Sequence, residues 1–214
     1  MTSGSSDGFP AQPLTVTLFT SSLNVRRIET TMTTGHSLTI ARFTYRGAST
    51  MATENPEILV LTTGGTIDKV YFDAKSEYEV GHSIVDQLLQ QAEVQHPYFV
   101  QAVLKKDSLD VTDADRASIR EAVERHGNQR VVITHGTDTM TETAKALDGT
   151  GKTIVMTGSL APARFAMSDA MFNIGMAFAA VQAMAPGVYI CMNGTVFDAF
   201  RVRKDREQNR FIET

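Results

Sequence analysis

The sequence predicts an α/β protein: a three-layer α/β/α domain with a mainly parallel sheet and a ligand crevice at the strand carboxyl ends. Three observations predict it. From residue 57 onward short Val/Ile/Leu runs alternate with helical segments. The runs are apolar almost throughout instead of alternating with polar residues, as expected of strands covered on both faces. Finally, three of them stop in the same way, at Thr followed by Gly and then by hydroxyl or acidic residues: "ILVLTTGGTID", "VVITHGTDTM" and "TIVMTGSLAP".

The elements follow in order. Glu57–Thr63 reads as a buried strand, 83–93 as a helix, 98–104 as a strand and 112–126 as a helix. Residues 130–134 form the next strand. The helix after it opens with Thr139-Met140-Thr141-Glu142, which fits a Ser/Thr-x-x-Glu capping box. A strand at 153–157, a long Ala- and Met-rich helix at 169–184 and a strand at 187–192 complete the series. The long helix is expected to be core, with an interface as the other reading. Residues 57–214 contain no repeat at solenoid spacing.

Residues 1–52 differ. The first fifty contain eighteen Ser or Thr and four Arg, with only Asp7 and Glu29 acidic. That composition fits an organellar transit peptide or a poorly ordered tail. Met51-Ala52-Thr53-Glu54 also looks like a natural start directly before the first strand. A secretory signal is disfavoured, because Thr, Ser and Asn interrupt residues 13–25. The expected division is therefore an extension over 1–52 and a folded domain over 53–214.

A net charge of −4 and 42% apolar residues describe an ordinary globular chain. No basic stripe points to nucleic acid, and no apolar run is long enough to span a membrane. Cys191 is the single cysteine. Lying in the apolar run 187–192, it reads as a packed strand residue. His36, His82, His96, His126 and His135 lack metal-ligand spacing, so neither metal nor cofactor is expected. A cytoplasmic location is expected.

In a parallel sheet all strand carboxyl ends share one edge, where open α/β folds bind ligands. Thr66, Thr137, Asp138 and Ser159 should converge there. Each loop taken alone could be a turn or a helix cap. Together they suit a small polar substrate and allow a threonine nucleophile if some base removes its proton. Two other motifs fail. "GTGKT" (149–153) would need its first P-loop glycine at Ala146 and precedes a strand. "TTGGTID" lacks the spacing of the dinucleotide fingerprint.

"TGGTI" (63–67) together with "HGTDTM" (135–140) resembles the bacterial-type L-asparaginase family, over roughly residues 57–205 and closest to its short, single-domain members. The resemblance implies roles residue by residue. Thr66 matches the nucleophilic threonine, although the sequence alone does not choose between Thr66 and Thr137. Tyr78 in "SEYEVG" matches the tyrosine of a mobile loop that bonds the nucleophile. Ser108 in "DSLDVT" matches the serine holding the substrate α-carboxylate, with Asp107 beside it. Thr137 and Asp138 match the second catalytic threonine and the aspartate that binds the α-amino group. Lys204, in "RVRKDRE", matches the catalytic lysine, although that stretch read alone is a solvated charge run. Gly65 and Gly136 let the backbone approach the substrate, and their turns supply N–H groups for an oxyanion. Ser159 stands where Ala is frequent, with a contact expected mainly through backbone. His135 reads as a satisfied strand-end histidine.

The implied reaction is hydrolysis of L-asparagine, with L-glutamine as the other candidate amide, through an acyl-enzyme. A dimer or tetramer is implied by family likeness. Two departures stand out. The second domain of long members has no counterpart in these residues, and Leu109 replaces a polar substrate contact. The competing readings are an amino-acid-binding module without turnover and a subunit that releases ammonia for a partner enzyme.

Overall fold

The computed structural model describes residues 57–72 and 77–214, all within one compact unit, Met51–Thr214. The expected extension over residues 1–52 lies outside the described residues. Six strands form the central sheet: β1 (Ile58–Gly64), β4 (Tyr98–Lys106), β5 (Arg130–Thr134), β6 (Thr153–Thr157), β7 (Gly187–Met192) and β8 (Thr195–Asp198). Their order is β4-β1-β5-β6-β7-β8. All neighbours are parallel except β7 and β8, an antiparallel pair turned through Asn193 and Gly194. The mainly parallel sheet expected from the continuous apolar runs is present.

Its two faces are covered by different helices. On one face Leu59, Leu61, Val131, Ile133, Ile154 and Ile190 pack against α2 (Asp113–Arg125) and α3 (Met140–Ala146). On the other Ile58, Val60, Val132, Val155 and Cys191 pack against α1 (Val85–Gln91) and α4 (Ala170–Ala183). Alternate residues of each strand thus feed opposite cores. Each fully buried Leu, Ile or Val contributes about 1.5–3 kcal/mol. α4 turns Ile174, Ala177, Phe178 and Val181 to the sheet, as the core reading expects. No helix among the described residues is long and apolar enough to cross a membrane.

Polar side chains fix the helices. Thr112 and Asp115 form a reciprocal capping box at the start of α2, and Lys152 Nζ donates to Val123 O and His126 O at its end. Arg120 of α2 donates to Ala146 O and Asp148 O beyond α3, at 2.8 Å each. These bonds satisfy carbonyls that a helix end otherwise leaves open.

Three details differ from the sequence expectation. The first helix is shorter, Val85–Gln91. The capping box at Thr139 does not form: Thr139 Oγ1 donates 2.6 Å to Ser108 O, and Glu142 accepts from Thr141. The carbonyl of Ser108, in the 3-10 turn that follows β4, outcompetes the local cap. Three antiparallel pairings also escaped the reading: β2–β3 (Lys69–Phe72 with Glu77–Val80), β9–β10 (Val202–Asp205 with Arg210–Glu213) and β8 beside β7.

Candidate active site

Where β1, β4 and β5 end, the backbone is packed almost without clearance. Gly65 has φ +86°, and a Cβ there would stand 2.5 Å from Gly136 Cα. A Cβ on Gly136 would in turn stand 2.5 Å from Ser108 Cβ. Only glycine fits either position, the first for its dihedral and its space, the second for space alone. The residues that follow, Thr66 and Thr137, therefore leave from backbones in contact. Gly65 N–H donates to Lys106 O (2.9 Å) and Thr63 Oγ1 to Thr134 O (2.9 Å), which ties the three strand ends together.

Thr66 opens a 3-10 turn, Thr66–Asp68, and is half-buried. Thr137 is almost fully buried. The β9–β10 hairpin delivers the cation. Phe211 and Val202 anchor it in the core beside α3, and Lys204, opposite Phe211 in register, reaches the end of β5. Its Nζ donates 2.6 Å to Thr137 Oγ1 and 2.7 Å to Asp138 Oδ1. The Lys204 side chain is 9% exposed and that of Asp138 34%. A lysine within a charge-rich stretch is thus drawn into the interior by a charged and a neutral partner. Such charge-assisted bonds are the short, strong class.

His135 occupies the position of a structural histidine. Nδ1–H donates to Gly136 O (2.8 Å), which leaves Nε2 to accept from Thr143 Oγ1 (3.0 Å). Burial lowers its pKa, partly offset by the Gly136 bond. It holds the Gly136–Thr137 peptide from behind.

The remaining expected residues are placed differently. Ser108 is buried against Gly136. The Asp107 carboxylate accepts from Lys69 Nζ (2.7 Å) and from Leu109 N–H (3.2 Å). Burial alone would raise its pKa, but the Lys69 bond and the Leu109 and Ser108 N–H groups bring it below the usual carboxylate range. Tyr78 lies in strand β3, about half exposed, with Tyr71 and Phe165 against its ring at centroid distances of 5.3 and 5.9 Å. It is not hydrogen-bonded to Thr66 here. Tyr78 and Asp107 line an open cleft of about 460 Å³ whose walls include neither Thr66 nor Thr137. Ser159 is buried, and its hydroxyl donates to Ala161 O within its own loop.

Sequence reasoning missed Asp169. Its carboxylate accepts from Leu160 N–H, Ala161 N–H, Asn173 Nδ2 and Asn193 Nδ2, at 2.8–3.1 Å. One side chain thereby fixes the loop after β6 to α4 and to the turn after β7. An Asp just before a helix was legible only as a local cap.

The family described as "Asparaginase, N-terminal" matches residues 57–211. The chain belongs to the asparaginase family. It is 35% identical over 171 residues to the L-asparaginase 2 of Escherichia coli, covering 74% of this chain and 49% of that protein. With the probable periplasmic L-asparaginase of Haemophilus influenzae it shares 31% identity, over 72% and 47%. The solved structure of the thermostable L-asparaginase from Thermococcus kodakarensis superposes with a TM-score of 0.64 at 28% identity, covering 73% and 51%. The chain spans about half the length of the asparaginases it matches, and the shared half contains the strand ends described above.

Proposed function

We propose that the protein hydrolyses the side-chain amide of L-asparagine to L-aspartate and ammonia through a threonine-bound acyl-enzyme. The observation that carries this reading is Lys204 Nζ held between Thr137 Oγ1 and Asp138 Oδ1. A lysine and a threonine at hydrogen-bond distance form a proton-handling pair, with the carboxylate orienting the amine. A binding module would have no use for that pair.

The steps balance as two half-reactions. Thr66 Oγ attacks the amide carbon, its proton passes to the leaving nitrogen, and ammonia departs with the C–N electron pair. Water then attacks the ester, gives up a proton to Thr66 Oγ, and releases the second carboxylate of aspartate. The Thr137–Lys204 pair relays the protons. Asp138, a third exposed, is the anchor for the substrate α-ammonium, while Ser108 flanks the α-carboxylate and Asp107 beside it holds Lys69 and the Leu109 N–H in place. Gly65 N–H is committed to Lys106 O, so the open N–H groups of the Thr66 turn and of Gly136-Thr137 face the oxyanion. Tyr78, carried on its hairpin, closes over the nucleophile when substrate is bound. A homo-oligomer in the cytoplasm completes the reading, with light scattering as its check.

The test is a substrate panel on the full chain: ammonia release from L-asparagine, L-glutamine and simple amides, with calorimetric binding in parallel. Release from asparagine supports the proposal. Tight asparagine binding without product would replace it by the binding module, and release only with a second protein by the partner-dependent subunit.

A further inference from the structure

Asp68 closes the 3-10 turn that Thr66 opens, and the hydrolysis just described makes no use of it. It is 1% exposed. Its N–H donates to Gly65 O (3.1 Å) inside the turn, and its carbonyl accepts from Gly81 N–H (2.8 Å), just past the end of β3. Carboxylate Oδ1 accepts from Ile84 N–H (3.2 Å), the residue that precedes α1. One residue therefore joins the Thr66 turn, the return of the β2–β3 hairpin that carries Tyr78, and the start of a helix. The neighbouring carbonyl, Ile67 O, is held by Ala163 N–H (3.1 Å) from the loop after β6.

The choice of side chain here is expensive. Among the described residues Oδ2 is buried without a hydrogen-bond partner, although the Ser83 hydroxyl stands close enough to favour the charge. Burial raises the pKa of Asp68 against the help of Ser83, Ile84 N–H and the Arg164 charge. A buried polar oxygen left unsatisfied costs about 1–3 kcal/mol and calls for a reason. The contacts supply one: a side chain of this length reaches Ile84 N–H from the turn, and Oδ1 is the atom that does it.

We propose that Asp68 is a positioning residue, a brace that holds the Thr66 turn against the exit of the Tyr78 hairpin through Oδ1 and its shape, with no requirement for charge. The role in turnover rests on the asparagine-hydrolysis reading; the brace itself does not. Asn keeps the length and one acceptor oxygen. Ala removes both, and Glu keeps a carboxylate but displaces it by one methylene.

The experiment measures kcat and KM for L-asparagine in full-length Asp68→Asn, Asp68→Ala and Asp68→Glu. Amide exchange by mass spectrometry over residues 64–68 and 81–85 accompanies it. Misplacing a nucleophile by about 1 Å costs about 10²-fold. Asp68→Ala and Asp68→Glu should lose about that in kcat with KM little changed, while Asp68→Asn stays within about threefold of the parent. Exchange in both segments should quicken by about tenfold in Asp68→Ala and stay at the parental rate in Asp68→Asn. Asp68→Asn as slow as Asp68→Ala would overturn the proposal by making charge the requirement. So would Asp68→Ala with parental kcat and exchange. If Asp68→Ala does not fold, the contrast of Asn with Glu decides. If the parent protein releases no ammonia, the substrate reading fails and the exchange rates alone judge the brace.

Discussion

Replacing Lys204 by Met keeps the aliphatic stem and removes the ammonium that bonds Thr137 Oγ1 at 2.6 Å and Asp138 Oδ1 at 2.7 Å. Breaking a fully buried ion pair costs about 3–5 kcal/mol, because one charge is left stranded. Here the Asp138 side chain is 34% exposed, so water takes up much of its charge. The expected loss of stability is about 1–2 kcal/mol. In a domain of this size that lowers Tm by about 2–8 °C, and the fold survives. On the proposed mechanism the same substitution removes a proton relay, worth about 10²–10⁴ in kcat, or about 3–5 kcal/mol of barrier. Rate should therefore suffer far more than stability. Lys204→Arg separates charge from proton transfer, since a guanidinium keeps the ion pair but does not deprotonate; it should melt near the parent and still be slow. The assay is coupled ammonia release at saturating L-asparagine, with calorimetric Tm on the same samples. Lys204→Met that melts lower but turns over within about threefold of the parent would refute the relay and leave Lys204 a structural ion pair.

Three further outcomes are expected. Gly65→Ala combines a left-handed φ with a Cβ 2.5 Å from Gly136 Cα; it should cost about 2–4 kcal/mol, and an unchanged Tm would count against the tight strand-end packing. His135 has its pKa lowered by burial from 6.5, so below about pH 6.5 the unfolded chain binds the extra proton. Its contribution is fully present above that pH and declines as pH falls toward the folded pKa; the urea midpoint should drop more from pH 7.5 to 5.5 in the parent than in His135→Gln. Burial pushes the Cys191 thiol up to about 11. A thiol reagent at pH 8 should therefore label it only in denaturant, and rapid labelling of native protein would contradict its packing on β7 against α4.

Much of the fold was legible because the parallel strands are buried on both sides. Val131-Val132-Ile133 and Ile154-Val155-Met156 have no polar face to confuse the period. The hairpins were not. Val202–Asp205 has one apolar residue among three charged ones and reads as a solvated turn, while Lys69–Phe72 is only four residues long, too short to show a period. Lys204 shows the consequence: nothing in "RVRKDRE" tells which of its cations is drawn inward, since that depends on Phe211 seating the partner strand. Its match to a family lysine was what singled it out; in the structure its Nζ donates to Thr137 Oγ1 and Asp138 Oδ1. Asp68 and Asp169 stayed hidden for another reason. Both bond to main-chain N–H groups that are distant in sequence, and local propensity holds no record of such partners.

The claim that threonine chemistry at these strand ends hydrolyses asparagine is tested most directly by ammonia release from L-asparagine with the full chain, Thr66→Val and Thr137→Val. Each substitution removes one hydroxyl and little volume. Threonine chemistry at these strand ends predicts release by the parent and its loss by about 10²-fold or more in both variants. Unchanged release in both would contradict it.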